Sequence, residues 1–102
     1  MIDQTNGHAA NAESNYRQAL SIDGDFQPAI WNLALVRGAA GAPQEAIALW
    51  RHYLALANSA GAHYNLALQL RAIGDTAEGE AEMTTAIRLD PSFKDPAVRA
   101  TP

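Results

Sequence analysis

The chain has 102 residues, room for one domain spanning 1–102, and a 48% hydrophobic fraction rich in alanine and leucine that favours helix over strand. A formal charge of -4 and a pI of about 5.1 leave no clustered basic footprint, so nucleic acid is not expected as a partner. The absence of cysteine excludes disulfides, thiolate chemistry and cysteine-held zinc.

Breakers divide the sequence into segments of helical length. The first predicted helix runs roughly over 8–22, where Ala12, Tyr16, Ala19 and Leu20 share one face of a 3.6-residue period. Asp23-Gly24-Asp25 ends it, and Asp25 is the expected cap of a second helix, 27–39, with Pro28 in its first turn. After Gly38 to Pro43 a third helix is expected over 43–57, started by Pro43. Asn58 to Gly61 forms the next break, with Ser59 capping a fourth helix over 60–73. Gly74-Asp75 precedes a fifth over 76–89, where Asp75 and Glu78 have the spacing of a capping box. Beyond Asp90-Pro91, the tail 92–102 contains Asp95-Pro96, the signature of a further helix start.

The segments repeat. Ala12-x3-Tyr16-x2-Ala19-Leu20 returns 34 residues later as Ala46-x3-Trp50-x2-Tyr53-Leu54, and 33 after that as Gly79-x3-Met83-x2-Ala86-Ile87. Trp31-Asn32-Leu33-Ala34-Leu35 returns as Tyr64-Asn65-Leu66-Ala67-Leu68, and Gly41 as Gly74, both 33 residues on. A common period carried by two alternating helix types makes the unit a helix pair, which buries its apolar face only by stacking on neighbours. The expected architecture is therefore all-α: an α-solenoid of antiparallel helix hairpins with about five helices.

These residues resemble the tetratricopeptide repeat, whose pattern runs W-x2-L-G-x2-Y, then A-x3-F, then P, over about 34 residues. Ile30-x2-Leu33-Ala34 and His63-x2-Leu66-Ala67 stand at its first part. Ala12-x3-Tyr16, Ala46-x3-Trp50 and Gly79-x3-Met83 stand at its second, and Asp90-Pro91 closes a repeat. About two and a half repeats are covered. The resemblance implies a right-handed superhelix and a protein-interaction scaffold. The sequence departs from the pattern where Arg37 and Leu70 replace the tyrosine, and where Tyr53 occupies the small position held by Ala19 and Ala86. A ring at that place would overpack a normal hairpin by about 1–3 kcal/mol unless the one-residue-shorter loop at Asn58 to Gly61 compensates.

By the same resemblance, the first helix of each pair lines a concave groove for a peptide or partner segment. Its face here would carry Trp31, Asn32 and Leu35, then Tyr64, Asn65, Leu68 and Arg71. Each asparagine amide offers both a donor and an acceptor to a peptide backbone, or alternatively bonds a neighbouring helix. Trp31 and Tyr64 are ligand anchors or packing residues, and Arg71 is a carboxylate grip or solvated surface. Where related scaffolds hold chaperone C-termini with lysine, this chain has Trp31, Leu35 and Asn65 and no lysine, so that clamp is not expected.

No catalytic, cofactor or metal site is expected. His8, His52 and His63 lack paired metal spacing, and Gly38 to Gly41 lacks the Gly-Lys-Ser/Thr ending of a phosphate loop. Glu78, Glu80 and Glu82 lie in the first turns of a helix, where acids offset its dipole. No apolar run nears the roughly 20 residues needed to cross a bilayer, and residues 1–7 lack a secretory leader, so a soluble, cytoplasmic protein without a membrane partner is expected. Two further readings stand beside the peptide scaffold. One is a self-assembly module, a homo-oligomer joined through uncovered end helices. The other, implied by a similarity to the asparagine ladder of the O-GlcNAc transferase, is the regulatory or substrate-recruiting part of a larger enzyme.

Overall fold

A computed structural model describes the backbone of residues 4–94 and the side chains from residue 10 onward. The Asp95-Pro96 start and the His8 side chain lie outside these described residues. Five helices follow one another: α1 (Gln4–Ile22), α2 (Gln27–Ala39), α3 (Pro43–Leu56), α4 (Ala60–Ala72) and α5 (Thr76–Leu89). A short 3-10 turn, η1 (Pro91–Phe93), closes the series, and no strand occurs among the described residues. α1 begins at Gln4, four residues before the predicted start at residue 8, so helical propagation continues backwards through Asn6 and Gly7 despite their low propensity.

Local chemistry sets the boundaries. Pro43 opens α3, where its missing N–H costs nothing. Ser59 caps α4 by accepting the Ala62 N–H at 3.2 Å, and Asp75 caps α5 by accepting the Glu78 N–H at 3.3 Å. The reciprocal half of the expected capping box is not made, because the Glu78 carboxylate turns to Arg51 on α3, with contacts of 2.5 and 2.9 Å. Asp25 does not cap α2 either. The cap is Phe26, without a side-chain bond, while the Asp25 carboxylate lies 2.9 Å from His52 Nε2. Gly41 and Gly74, one period apart, both take positive φ, +82° and +86°, as the chain leaves α2 and α4.

Each helix packs on its neighbours in sequence, α1 on α2, α2 on α3, α3 on α4 and α4 on α5. The radius of gyration, 14.9 Å, exceeds the roughly 13 Å of a compact chain of this length, as expected for an open array. The core runs through the array on the repeat register. Ala34, Ala46, Ala62, Ala67 and Ala86 are wholly buried at points of close helix approach. Trp50, 1% exposed, fills the largest space between them, with Ile47, Leu66 and Leu70 around it.

Ionic contacts reinforce the stacking in the same register. Arg17 on α1 reaches Glu45 on α3 at 2.9 Å, and one period later Arg51 on α3 reaches Glu78 on α5. Arg37, which replaces the tyrosine of the repeat pattern, sits between Glu13 and Glu45 at 2.9 Å from each. Its Nε–H is not aimed at Glu45, so that contact is ionic rather than a hydrogen bond. Arg17 also meets Glu13, closing a four-membered ring of charges across α1, α2 and α3.

The hydrogen bond from Arg37 holds the Glu13 carboxyl below its ordinary range, helped by Arg17 and opposed by partial burial. A depressed carboxyl stabilises the fold fully above its unfolded value, near about 4.3, and loses that contribution as pH falls through the folded value. The melting temperature is therefore expected to fall on acidification below about pH 4, and to fall less in Glu13→Gln. Asp90, lowered by the Ser92 backbone N–H, contributes in the same direction and leaves a residual slope. Equal slopes in both chains would remove Glu13 from the acid response.

Candidate functional site: a cleft between α2, α3 and α4

The short loop between α3 and α4 brings the start of α4 against the side of α2. Gly61 makes this approach feasible, since a Cβ there would lie 3.0 Å from Trp31 Cη2. Trp31 in turn meets Trp50 edge to face, with ring centroids 4.7 Å apart and planes at 88°. Tyr53 completes the cluster, 5.2 Å from Trp31 at 64° and 6.3 Å from Trp50 at 70°.

The overpacking anticipated at Tyr53 does not arise. Its ring is half-buried and stands against Trp31 and Trp50 rather than being driven into the hairpin, with the missing Cβ of Gly61 accommodating Trp31 on the far side. The result is a surface cleft of about 460 Å³ lined by Gln27, Pro28, Trp31, Asn32, Tyr53 and Ser59.

Of the residues singled out in the sequence, Trp31 and Asn32 line this cleft, and both are half-buried. Leu35 and Leu68, one period apart, are 44% and 38% exposed, an uncommon state for leucines with a burial-driven role. Asn65 is half-buried one period after Asn32. Neither asparagine side chain has a hydrogen-bond partner among the described residues, so neither is spent on a neighbouring helix. Tyr64 stacks on Phe93 of η1 at 5.0 Å and 37°, which gives it a packing contact at the end of the array. Arg71 is exposed, with its stem lying over Gly79 of α5. Tyr64, Asn65, Leu68 and Arg71 thus stand on α4 apart from the cleft lining.

Gln27, Pro28, Tyr53 and Ser59 enter the cleft without having been read as site residues. Tyr53 and the shortened loop were both legible as anomalies at one junction, and their coincidence is the signal that marks the cleft.

His63, Glu78 and Glu82 make contacts within the array. His63 lies between Glu82 on α5, at 2.5 Å from Nδ1, and Asn58, at 2.9 Å from Nε2. Of the three glutamates read as dipole partners, Glu78 and Glu82 thus have specific partners on α3 and α4. Among the described residues no group of three or more His, Cys, Asp or Glu is placed to hold a metal ion, and no helix is long and apolar enough to cross a membrane.

With this geometry, known proteins give a consistent comparison. The sequence profile of the tetratricopeptide repeat matches residues 60–93, from the start of α4 through η1. The chain carries a tetratricopeptide repeat. The tetratricopeptide fold extends over the array. The structure superposes on a thermophilic TPR protein of Thermus thermophilus, with a TM-score of 0.75 and 24% identity. That match covers 94% of this chain and 48% of the other, so the chain spans about half the length of the Thermus protein. It also superposes on SycD, a type III secretion translocator chaperone of Yersinia enterocolitica, with a TM-score of 0.74 and 21% identity, covering 94% of this chain and 75% of that one. No curated protein matches the sequence itself. Ala46 and Ala67, both wholly buried, stand at the small positions of the tetratricopeptide pattern.

Proposed function

We propose that this chain is a non-catalytic scaffold that holds an extended segment of a partner protein along the faces of α2 and α4. The observation that carries the proposal is the pair Asn32 and Asn65. Both recur at one period, both are half-buried, and neither has a hydrogen-bond partner among the described residues. A half-buried amide without a protein partner retains a donor and an acceptor for a peptide backbone of any sequence. Leu35 and Leu68, exposed beside them, supply apolar contact, and Trp31 lines a cleft that can take a side chain. Arg71, exposed on α4, offers a forked donor to an acidic group of the same segment. The tetratricopeptide fold supports the interaction role in general, and the chaperone SycD is one protein with this fold.

Selection of random peptides against the chain, followed by titration into Asn32→Ala/Asn65→Ala, tests this reading. Ligands that bind the unaltered chain and fail on the double variant are expected. Ligands that bind both equally would move recognition off this face.

Self-assembly is the second reading, and a specific observation supports it. Ile22, Leu56 and Leu89 are exposed at the ends of α1, α3 and α5 in the repeat register, Ile22 at 83%. It requires an oligomer that grows with concentration in analytical sedimentation. A monomer throughout discards it.

A further inference from the structure

Resting on the groove reading, we infer that the cleft of Gln27, Trp31, Asn32 and Tyr53 receives a proline-rich segment in the polyproline II conformation. Charge gives the first reason. None of the six lining residues carries a charge, so a charged ligand side chain entering the cleft would lose water with no counter-charge to meet it. The occupant is uncharged at this point.

Hydrogen bonding gives the second. The Gln27 and Asn32 amides have no hydrogen-bond partner among the described residues, and with the Tyr53 hydroxyl they give the cleft both donors and acceptors. A ligand that uses these donors must bring free carbonyls. A helical ligand keeps its carbonyls in its own i to i−4 bonds. A β-strand ligand seeks the edge of a sheet, and the described residues contain no strand. Polyproline II leaves every carbonyl free for these donors, and the N–H groups of its non-proline residues can meet the amide oxygens.

Shape gives the third. The Trp31 and Tyr53 rings, in edge contact at 5.2 Å with planes at 64°, give the cleft an aromatic lining, and Pro28 is part of it. Aromatic-lined grooves flanked by donors suit rigid proline segments, which lose little conformational freedom on binding.

The test is a titration of the whole chain with an uncharged, end-blocked proline decamer, followed by NMR at the two tryptophan indoles and the side-chain amides. Trp31 is half-buried and Trp50 is 1% exposed, so the two tryptophans report on different places. Saturable shifts are expected at the Trp31 indole and the Asn32 amide, with Trp50 moving less. Asn32→Ala is expected to weaken the decamer about 5-fold, the loss of roughly one hydrogen bond. A Gly/Ser decamer should leave the spectrum unchanged. An alanine-rich helical peptide that produces the same shifts would overturn the conformational claim, and decamer shifts away from α2 and α3 would overturn the site. An inert decamer alongside selected peptides that still depend on Asn32 and Asn65 would discard the proline class and leave the groove reading standing. If neither the decamer nor any selected peptide engages these residues, both fall.

Discussion

Replacing Trp50 with alanine is expected to lower stability by about 3–5 kcal/mol, the cost of removing a large buried ring and leaving part of its volume empty. Trp50 is 1% exposed, shares one buried cluster with Ala34, Ala46, Leu66 and Leu70, and carries the edge contacts to Trp31 and Tyr53. It thus ties α2, α3 and α4 together. Small single domains have only about 5–15 kcal/mol in all, so this one truncation consumes a large part of the total. At roughly 4–8 °C per kcal/mol for a domain of this size, the melting temperature followed by circular dichroism should fall by about 12–40 °C. The same register offers internal controls. Met83 is 8% exposed and Tyr16 only half-buried, so Met83→Ala should cost less and Tyr16→Ala least. Equal losses at all three positions would contradict the burial ranking on which the estimate rests.

The double variant Asn32→Ala/Asn65→Ala is expected to separate binding from folding. Neither amide has a hydrogen-bond partner among the described residues, so truncation orphans no group, and stability should change by less than about 0.5 kcal/mol. Binding should respond strongly. If each amide makes one or two bonds to a ligand backbone at about 0.5–1.5 kcal/mol, the pair contributes on the order of 2–4 kcal/mol. By the usual 1.4 kcal/mol per decade, a selected peptide should lose roughly 30-fold to several hundred-fold in affinity by calorimetry. A large drop in melting temperature with unchanged affinity would assign both asparagines to the fold.

The helical architecture could be read from the sequence because its signals are local and repeated. Gly41 and Gly74 punctuate at one period, Ser59 and Asp75 cap the helices they precede, and the alternation of two helix types implies stacking. The readings that failed needed information from distant residues. Asp25 has the local chemistry of a cap, but its carboxylate meets His52, 27 residues on. Glu78 has the spacing of a capping box, but Arg51 on α3 competes for it. The charge ring that replaces the tyrosine at Arg37 joins three helices, although the recurrence of Arg17 and Glu45 as Arg51 and Glu78 carried a trace of it. The 3-10 turn at Pro91–Phe93 repeats the turn before α2. In both, an aspartate side chain accepts the N–H two residues on, and a phenylalanine N–H donates to that aspartate's carbonyl.

The candidate site shows the same division. Tyr53 and the short loop were visible as departures, yet the cleft they make depends on how near Trp31 comes to Gly61, a tertiary distance that no spacing encodes. Asn32 and Asn65 were visible as a repeated pair, whereas the lack of a hydrogen-bond partner for either among the described residues appears only once the neighbouring helices are in place.

The central claim is that α2 and α4 together present one working face to an extended ligand. Titrating a selected peptide into the labelled chain and following the Asn32 and Asn65 side-chain amide resonances tests it most directly. The account predicts that both pairs shift together and saturate at one peptide equivalent. Shifts confined to α1, α3 or α5, or reaching only one of the two asparagines, would contradict it.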